Sequence, residues 1–145
     1  MLMRSLFFAG CATALLATSV WAAPKTMNVI LSGAEEIPAV QSPGKGTALL
    51  TYDPETMKLS WSVDYSALSG PATMAHFHGP AMAGQNGPVA LWLAKKGDPL
   101  ASPLKGEAVL TAEQAKDFSS GAWYINVHTA ANPAGEIRGV IPAAK

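Results

Sequence analysis

Apolar and polar side chains alternate along most of this chain. Between residues 59 and 65 the alternation is strict, with Leu59, Trp61 and Val63 on one face and serines and an aspartate on the other. A period of two predicts a half-buried antiparallel strand. Similar short runs, bounded by Gly, Pro, Asn and Asp, predict strands over residues 27–33, 46–52, 57–65, 72–78, 88–94, 105–110, 122–129 and 136–141. Such a succession is typical of a sandwich or barrel, not of alternating β and α units.

One segment departs from this pattern and predicts a short helix over residues 112–118. Thr111 and Gln114 have the spacing of a capping box, and Gly121 can end the helix. The expected fold is therefore mostly β, an eight-stranded antiparallel β-sandwich with one short helix.

The N-terminus has the order of a secretory signal. Arg4 is followed by an apolar run over residues 6–20 and then by small residues, which fits cleavage after Ala22. The run is too short and too rich in small residues for a membrane-spanning helix of about 20 apolar residues. We expect a signal peptide at residues 1–22 and one exported domain, periplasmic or secreted, at residues 23–145.

The single cysteine, Cys11, lies in the predicted signal, so the mature domain has no disulfide and depends on a packed core. An alternative interpretation is a lipoprotein signal, because residues 8–11 loosely resemble a lipobox. Of the ten basic residues, Arg4 leaves with the signal, so nine basic and ten acidic residues give a net charge near −1. This charge predicts no nucleic-acid partner and no membrane partner after cleavage. The oligomeric state stays open.

Three histidines are the most distinctive chemical feature. His76 and His78 alternate in the strand predicted at 72–78, so they share a face with Met74 about 6.5–7 Å apart, while Phe77 points the other way. His128 ends another strand, on the polar face opposite Ile125 and its apolar neighbours. Every histidine of the chain therefore lies on the polar face of a patterned strand.

Three neutral imidazoles with an open fourth position suit copper or zinc. Met74 on the same face, and Met82 in the following loop, favour copper, whose reduced state prefers thioether ligands. The sequence predicts a surface copper site made by His76, His78 and His128, with zinc as the alternative metal. Ordinary packing of both methionines, and hydrogen-bonded structural histidines, remain open alternatives.

Arg138 is the only arginine left after signal cleavage. Period two places it on the same face as Glu136 and opposite Ile137. Its permanent charge could draw a small anion to the metal site, or could pair with Glu136 or Glu107.

Four blocks of the chain together resemble the chordin-type domain called CHRD. They are LSGAEEIP at 31–38, AHFHGPA at 75–81, GEAVLTAEQAKDFSSGAWYINVHT at 106–129 and NPAGEIRG at 132–139. The resemblance covers residues 28–141. It implies an extracellular β-domain, since chordin binds growth factors outside cells and bacterial copies are exported single domains.

A weaker resemblance is to the copper/zinc superoxide dismutases, which are Greek-key β-sandwiches. By this analogy His76 and His78 match their HxH pair, His128 their late copper histidine, and Arg138 their anion-guiding arginine. The bridging histidine, the zinc ligands and the disulfide of those enzymes have no counterparts here. The resemblance thus implies at most a copper-only site.

Together these observations predict an exported CHRD domain with superoxide-dismutase-like redox chemistry. Superoxide, a small anion, would be the partner and Arg138 the catalytic residue that attracts it. Two alternatives stay open, a periplasmic copper carrier and a non-catalytic extracellular binding module without a metal.

Overall fold

The computed structural model describes residues 22–94, 98 and 100–144. The alternating runs form eight strands: β1 Lys25–Ser32, β2 Lys45–Asp53, β3 Lys58–Ser66, β4 Ala72–His78, β5 Val89–Trp92, β6 Leu104–Val109, β7 Tyr124–Thr129 and β8 Ile137–Val140. The helix, α1, spans Ala112–Ser119. All predicted strands and the predicted helix are confirmed, with β5 and β8 shorter than expected. The predicted signal peptide lies outside the described residues except for Ala22.

The strands form one curled antiparallel sheet in the order β5-β4-β7-β8-β1-β2-β3-β6. Its two halves meet where β1 and β8 share a single residue pair, Ser32 with Arg138. The halves face each other, since the rings of Trp61 in β3 and Phe77 in β4 pack edge to face with centroids 5.4 Å apart. The connections from β3 to β4, from β5 to β6 and from β6 to β7 cross between the halves. The predicted mostly-β antiparallel sandwich is therefore confirmed.

The core follows from the alternation. Leu59, Trp61 and Val63 of β3 are buried, as their phase predicted. Burial of each such side chain contributes roughly 1.5–3 kcal/mol. Gly106 of β6 pairs with Trp61, and a Cβ at Gly106 would lie 2.5 Å from the indole ring. A glycine is needed there because the indole covers the backbone of β6.

Helix α1 closes one end of the sandwich. Thr111 accepts a hydrogen bond from the Gln114 backbone N–H, and the Gln114 side chain accepts one from Thr111, which confirms the capping box. Phe118 is fully buried against Tyr52 and Trp123, with ring centroids 5.0 and 5.5 Å away. Within the described residues, no helix is long and apolar enough to cross a membrane.

Strands β4 and β7 lie side by side and position the histidines. Register pairs His76 with Asn126, and Met74 with His128. Their inner face packs Phe77 and Ile125 into the core. The loops at 79–88 and 130–136 fold onto the other face and contact its side chains. The two loops thus cover the polar face of β4 and β7, where the histidines lie.

Candidate metal centre

The structure brings the three histidines together. Their ligand atoms, one ring nitrogen from each of His76, His78 and His128, all lie within 4.8 Å of one another. The side chains are only 4 %, 9 % and 5 % exposed, respectively. The expectation of a surface site is therefore wrong. Two loops cover the face of β4 and β7, which strand alternation alone left open to solvent.

The spacing of the nitrogens suits a small metal ion. His76 Nδ1 lies 3.2 Å from His128 Nε2. Two nitrogens that each bind a tetrahedral ion at 2.0–2.1 Å are about 3.3 Å apart. The His76 ring meets those of His78 and His128 at 81° and 68°, and the latter two are tilted by 39°, with centroids 5.0–6.3 Å apart, so no two of the three rings stack on one another.

Backbone carbonyls orient two of the rings. His78 Nδ1 donates to the carbonyl of Gly87 at 3.0 Å, and His128 Nδ1 donates to that of Pro133, also at 3.0 Å. Each bond fixes the tautomer and leaves the Nε2 lone pair pointing away from the carbonyl. Histidines that bind metals almost always donate their other ring nitrogen in this way.

Two buried ring nitrogens lack a partner. Among the described residues, nothing forms a hydrogen bond with His76 Nε2 or His78 Nε2. An unsatisfied buried polar atom costs roughly 1–3 kcal/mol. The arrangement is therefore a poor purely structural cluster. An ion bound through His76 Nδ1 and the Nε2 atoms of the other two histidines would satisfy His78 Nε2, but not His76 Nε2.

Burial keeps the imidazoles neutral. Burial, and after it the neighbouring His128 and His78, lower the pKa of His76 to about 4. Burial is also the main cause that lowers the pKa of His78 and of His128. Because a metal binds only the neutral ring, all three side chains are ready to bind at neutral pH without losing a proton.

Two functional residues were missed by sequence reasoning. Asn126 is 2 % exposed, and its Oδ1 lies 2.9 Å from His128 Nε2. Its Nδ2 donates to Glu36 at 3.5 Å. Burial raises the pKa of Glu36 to about 7, against the opposing charge of Arg138. The signal that could have found Asn126 was its place on the polar face of β7, two residues before His128.

Arg138 lies beside the cluster but does not enter it. Its guanidinium carbon lies 3.5 Å from the ring centroid of Tyr124, which stacks on His78 at 4.7 Å. Because β4 and β8 flank β7 on opposite sides, Tyr124 separates His78 from Arg138. Nη1 donates to Asn86 Oδ1 at 2.8 Å, and Nη2 to the Gln85 carbonyl at 3.0 Å. Arg138 therefore holds the loop whose Gly87 orients His78.

Neither carboxylate considered as a partner contacts Arg138. Glu136 accepts hydrogen bonds from Ser42, Ser69 and Thr129, and Glu107 pairs with Lys58 at 2.8 Å. The expectation that Glu136 shares a face with Arg138 is wrong. Glu136 lies before the first residue of β8 and accepts from Thr129, whereas Arg138 pairs with Asn126, which lies on the opposite face of β7 from Thr129.

The two methionines have different surroundings. Met74 is partly buried and lies directly across from His128 on the face that carries His76. Met82 is 69 % exposed, and it lines a small cavity together with Tyr124 and Arg138. Of the two, Met74 is the one placed next to the cluster.

Fold and site together define a small antiparallel β-domain with three buried histidines under two loops. The chain belongs to the CHRD family, since the model of the CHRD domain matches residues 27–141, and this confirms the resemblance noted in the sequence. No curated protein and no solved structure matches the chain. The analogy with superoxide dismutase therefore stays a prediction.

Proposed function

We propose that this exported CHRD domain binds one copper ion through His76, His78 and His128. The observation that carries the proposal is the convergence of three buried, neutral imidazoles whose ring nitrogens lie within 4.8 Å of one another. The hydrogen bonds from His78 and His128 to the carbonyls of Gly87 and Pro133 support it, because they leave Nε2 of both rings unprotonated.

Copper is preferred to zinc on chemical grounds. Sites with nitrogen donors bind Cu(II) more tightly than Zn(II), following the general order of divalent affinities. Met74 offers a thioether beside His128 as well. Zinc remains the alternative ion, because three imidazoles also suit it.

The protein itself orients the histidine ligands and excludes water from the site. Tyr124 and Arg138 hold the loop at 79–88 against β4, and this loop covers His78. When bound, copper supplies one-electron redox chemistry. A site buried in this way favours retention of the ion over rapid exchange with solvent, so copper binding is the function that the geometry supports best.

The test is a copper titration of the mature domain, without a tag, followed by electron paramagnetic resonance. We expect about one Cu(II) per chain with nitrogen hyperfine coupling, and loss of that signal in His78→Ala and His128→Ala. Thr129→Val is the matched control, since it alters a buried hydrogen bond in β7 and leaves all three imidazoles. A metal-free binding module would show no stoichiometric uptake, and that result contradicts the proposal.

Redox chemistry on superoxide is a second proposal. In its favour, the Arg138 guanidinium lies one aromatic ring away from His78. It stands second because Arg138 is 2 % exposed and both of its terminal nitrogens already donate to the loop.

Pulse radiolysis separates this proposal from a copper carrier. For a dismutase, the rate of superoxide dismutation should fall as ionic strength rises. It should also be lower in Arg138→Ala and lower still in Arg138→Glu, while the affinity for copper is unchanged. A carrier gives negligible dismutation and no graded response to these substitutions.

A further inference from the structure

A contact inside the site is difficult to explain with neutral side chains alone. His128 Nδ1 donates to Pro133, so its Nε2 carries a lone pair. The atom 2.9 Å from that lone pair is Asn126 Oδ1, which is also an acceptor. Two acceptors at this distance repel each other unless a positive centre lies near both.

Glu36 fixes which end of the Asn126 amide faces the histidines. Asn126 Nδ2 lies 3.5 Å from Glu36 Oε1, and a carboxylate oxygen accepts from the amide nitrogen, not from its oxygen. Oδ1 is then directed at the cluster. Above about pH 7, where Glu36 is ionised, the opposite orientation would place two oxygens against each other.

The backbone leaves room for this pair. A Cβ at Gly135 would lie 2.3 Å from Glu36 Oε1 and 2.7 Å from Asn126 Nδ2. Gly135 also has a φ of +133°, which side chains rarely allow. Only glycine permits Glu36 and Asn126 to meet at this point.

We propose that Asn126 Oδ1 is the fourth ligand of the ion, and that Glu36 is a positioning residue that holds the amide. This inference rests on the proposed copper site. Four protein ligands, three nitrogens and one oxygen, close the coordination sphere, as in structural metal sites. The hard oxygen selects a divalent ion, Cu(II) or Zn(II), over Cu(I). Such a site holds its ion and offers no open position for a substrate, so this inference argues against superoxide chemistry at the ion.

The experiment measures Cu(II) affinity of the mature domain by chelator competition, together with paramagnetic resonance spectra. Asn126→Ala should lower the affinity at least about tenfold and change the spectrum, because one oxygen donor is lost. Asn126→Asp keeps an oxygen and should bind at least as tightly as wild type. Glu36→Leu should weaken binding by roughly 10-fold, since nothing then accepts from the amide nitrogen of Asn126, whereas Glu36→Gln keeps an accepting oxygen and should bind close to wild type. Asn28→Ala, at an exposed position, is the control.

The outcomes separate this inference from the proposed function. If wild-type protein binds no copper, both fail. If wild type binds and Asn126→Ala matches it in affinity and spectrum, the fourth ligand is wrong and the three-histidine site stands. If Asn126 Nδ2 faced His128 instead, it would donate to the Nε2 lone pair and block it. Asn126→Ala would then free this lone pair and raise the affinity for copper. Should Asn126→Ala not fold, the inference is overturned by a spectrum that is unchanged both in Asn126→Asp, where a charged oxygen replaces a neutral one, and in Glu36→Leu, where the amide is no longer held.

Discussion

Two buried polar clusters of this domain differ in how well they are satisfied. Glu136 is fully buried, and its carboxylate accepts hydrogen bonds from the side chains of Ser42, Ser69 and Thr129 and from the Ser69 backbone. The histidine cluster is equally buried but leaves two ring nitrogens without a partner in the described part of the chain. The hydrogen bonds of the Glu136 cluster are satisfied by the protein itself, whereas the histidine cluster keeps unpaired nitrogens that can bind a ligand.

The pKa values show the same contrast. Burial alone would raise the pKa of Glu136, but the hydrogen bonds from Ser42, Ser69 and Thr129 outweigh it and lower the pKa to about 2. No such compensation acts on His76, whose pKa burial lowers to about 4. The first cluster stabilises a charge, and the second excludes one. We therefore assign the Glu136 cluster to stability and the histidine cluster to binding.

The largest expected effect is on the Glu136 cluster. Glu136→Gln should lower the free energy of unfolding by about 3 kcal/mol, because charged hydrogen bonds are worth roughly 1.5–3 kcal/mol each and the amide presents a donor to donors. Urea unfolding measures it. Glu107→Gln is the control, since its exposed pair with Lys58 should be worth at most about 1 kcal/mol. Equal losses in both variants would remove the distinction between the clusters.

The metal-free histidine cluster should make the domain sensitive to mild acid. The folded state keeps His76 neutral. The contribution of this side chain to the free energy of unfolding is therefore present above pH 6.5 and is lost as the pH falls toward about 4. At 1.36 kcal/mol per unit, the loss is up to about 3 kcal/mol. Unfolding by urea from pH 7.5 to 4 should show a steeper decline in wild type than in His76→Leu. Parallel curves would mean that His76 titrates normally.

Copper should stabilise the folded domain through the histidine site. Free copper at about 100 times Kd raises the free energy of unfolding by about 2.7 kcal/mol. We expect this increment in Glu136→Gln, despite its lower baseline, and expect none in His78→Ala. Thermal melts with and without copper give the measurement. An increment that survives in His78→Ala would place the ion elsewhere.

A smaller effect concerns the loop above the site. Arg138→Lys should lower stability by about 1 kcal/mol, since lysine keeps the charge but not the two bonds to Asn86 and Gln85. The His78 ring signals in NMR spectra should broaden as Gly87 loses its fixed position. Substitution of the exposed Lys105 by alanine should change neither. Unaltered His78 signals in Arg138→Lys would show that the loop does not depend on the guanidinium.

Most of the fold was predictable from local patterns. The alternation in β3 gave the burial of Trp61, and Thr111 with Gln114 gave the start of α1, because both signals depend on neighbouring residues. The common face of His76 and His78 followed from the same periodicity.

What escaped prediction depends on contacts distant in sequence. The burial of His78 comes from the loop at 79–88, and the placement of Asn126 from Glu36, which is 90 residues away. The alternative that Arg138 pairs with Glu136 was wrong because strand alternation was extended to Glu136, which lies one residue before β8 begins. Local patterns place a side chain on a face, and long-range packing decides what that face meets.

The distance between β4 and β7 along the chain bears on when the ion can be acquired. His76 and His128 are 52 residues apart, and pairing such remote segments is a late and slow event in folding. A newly made, still unfolded chain offers only the HxH pair, which is a weak chelator. For a chain that is exported as its N-terminal sequence predicts, the proposed site would form only after translocation and folding. Its metal would then be selected by the compartment in which the chain folds, and not by the one in which it is synthesised.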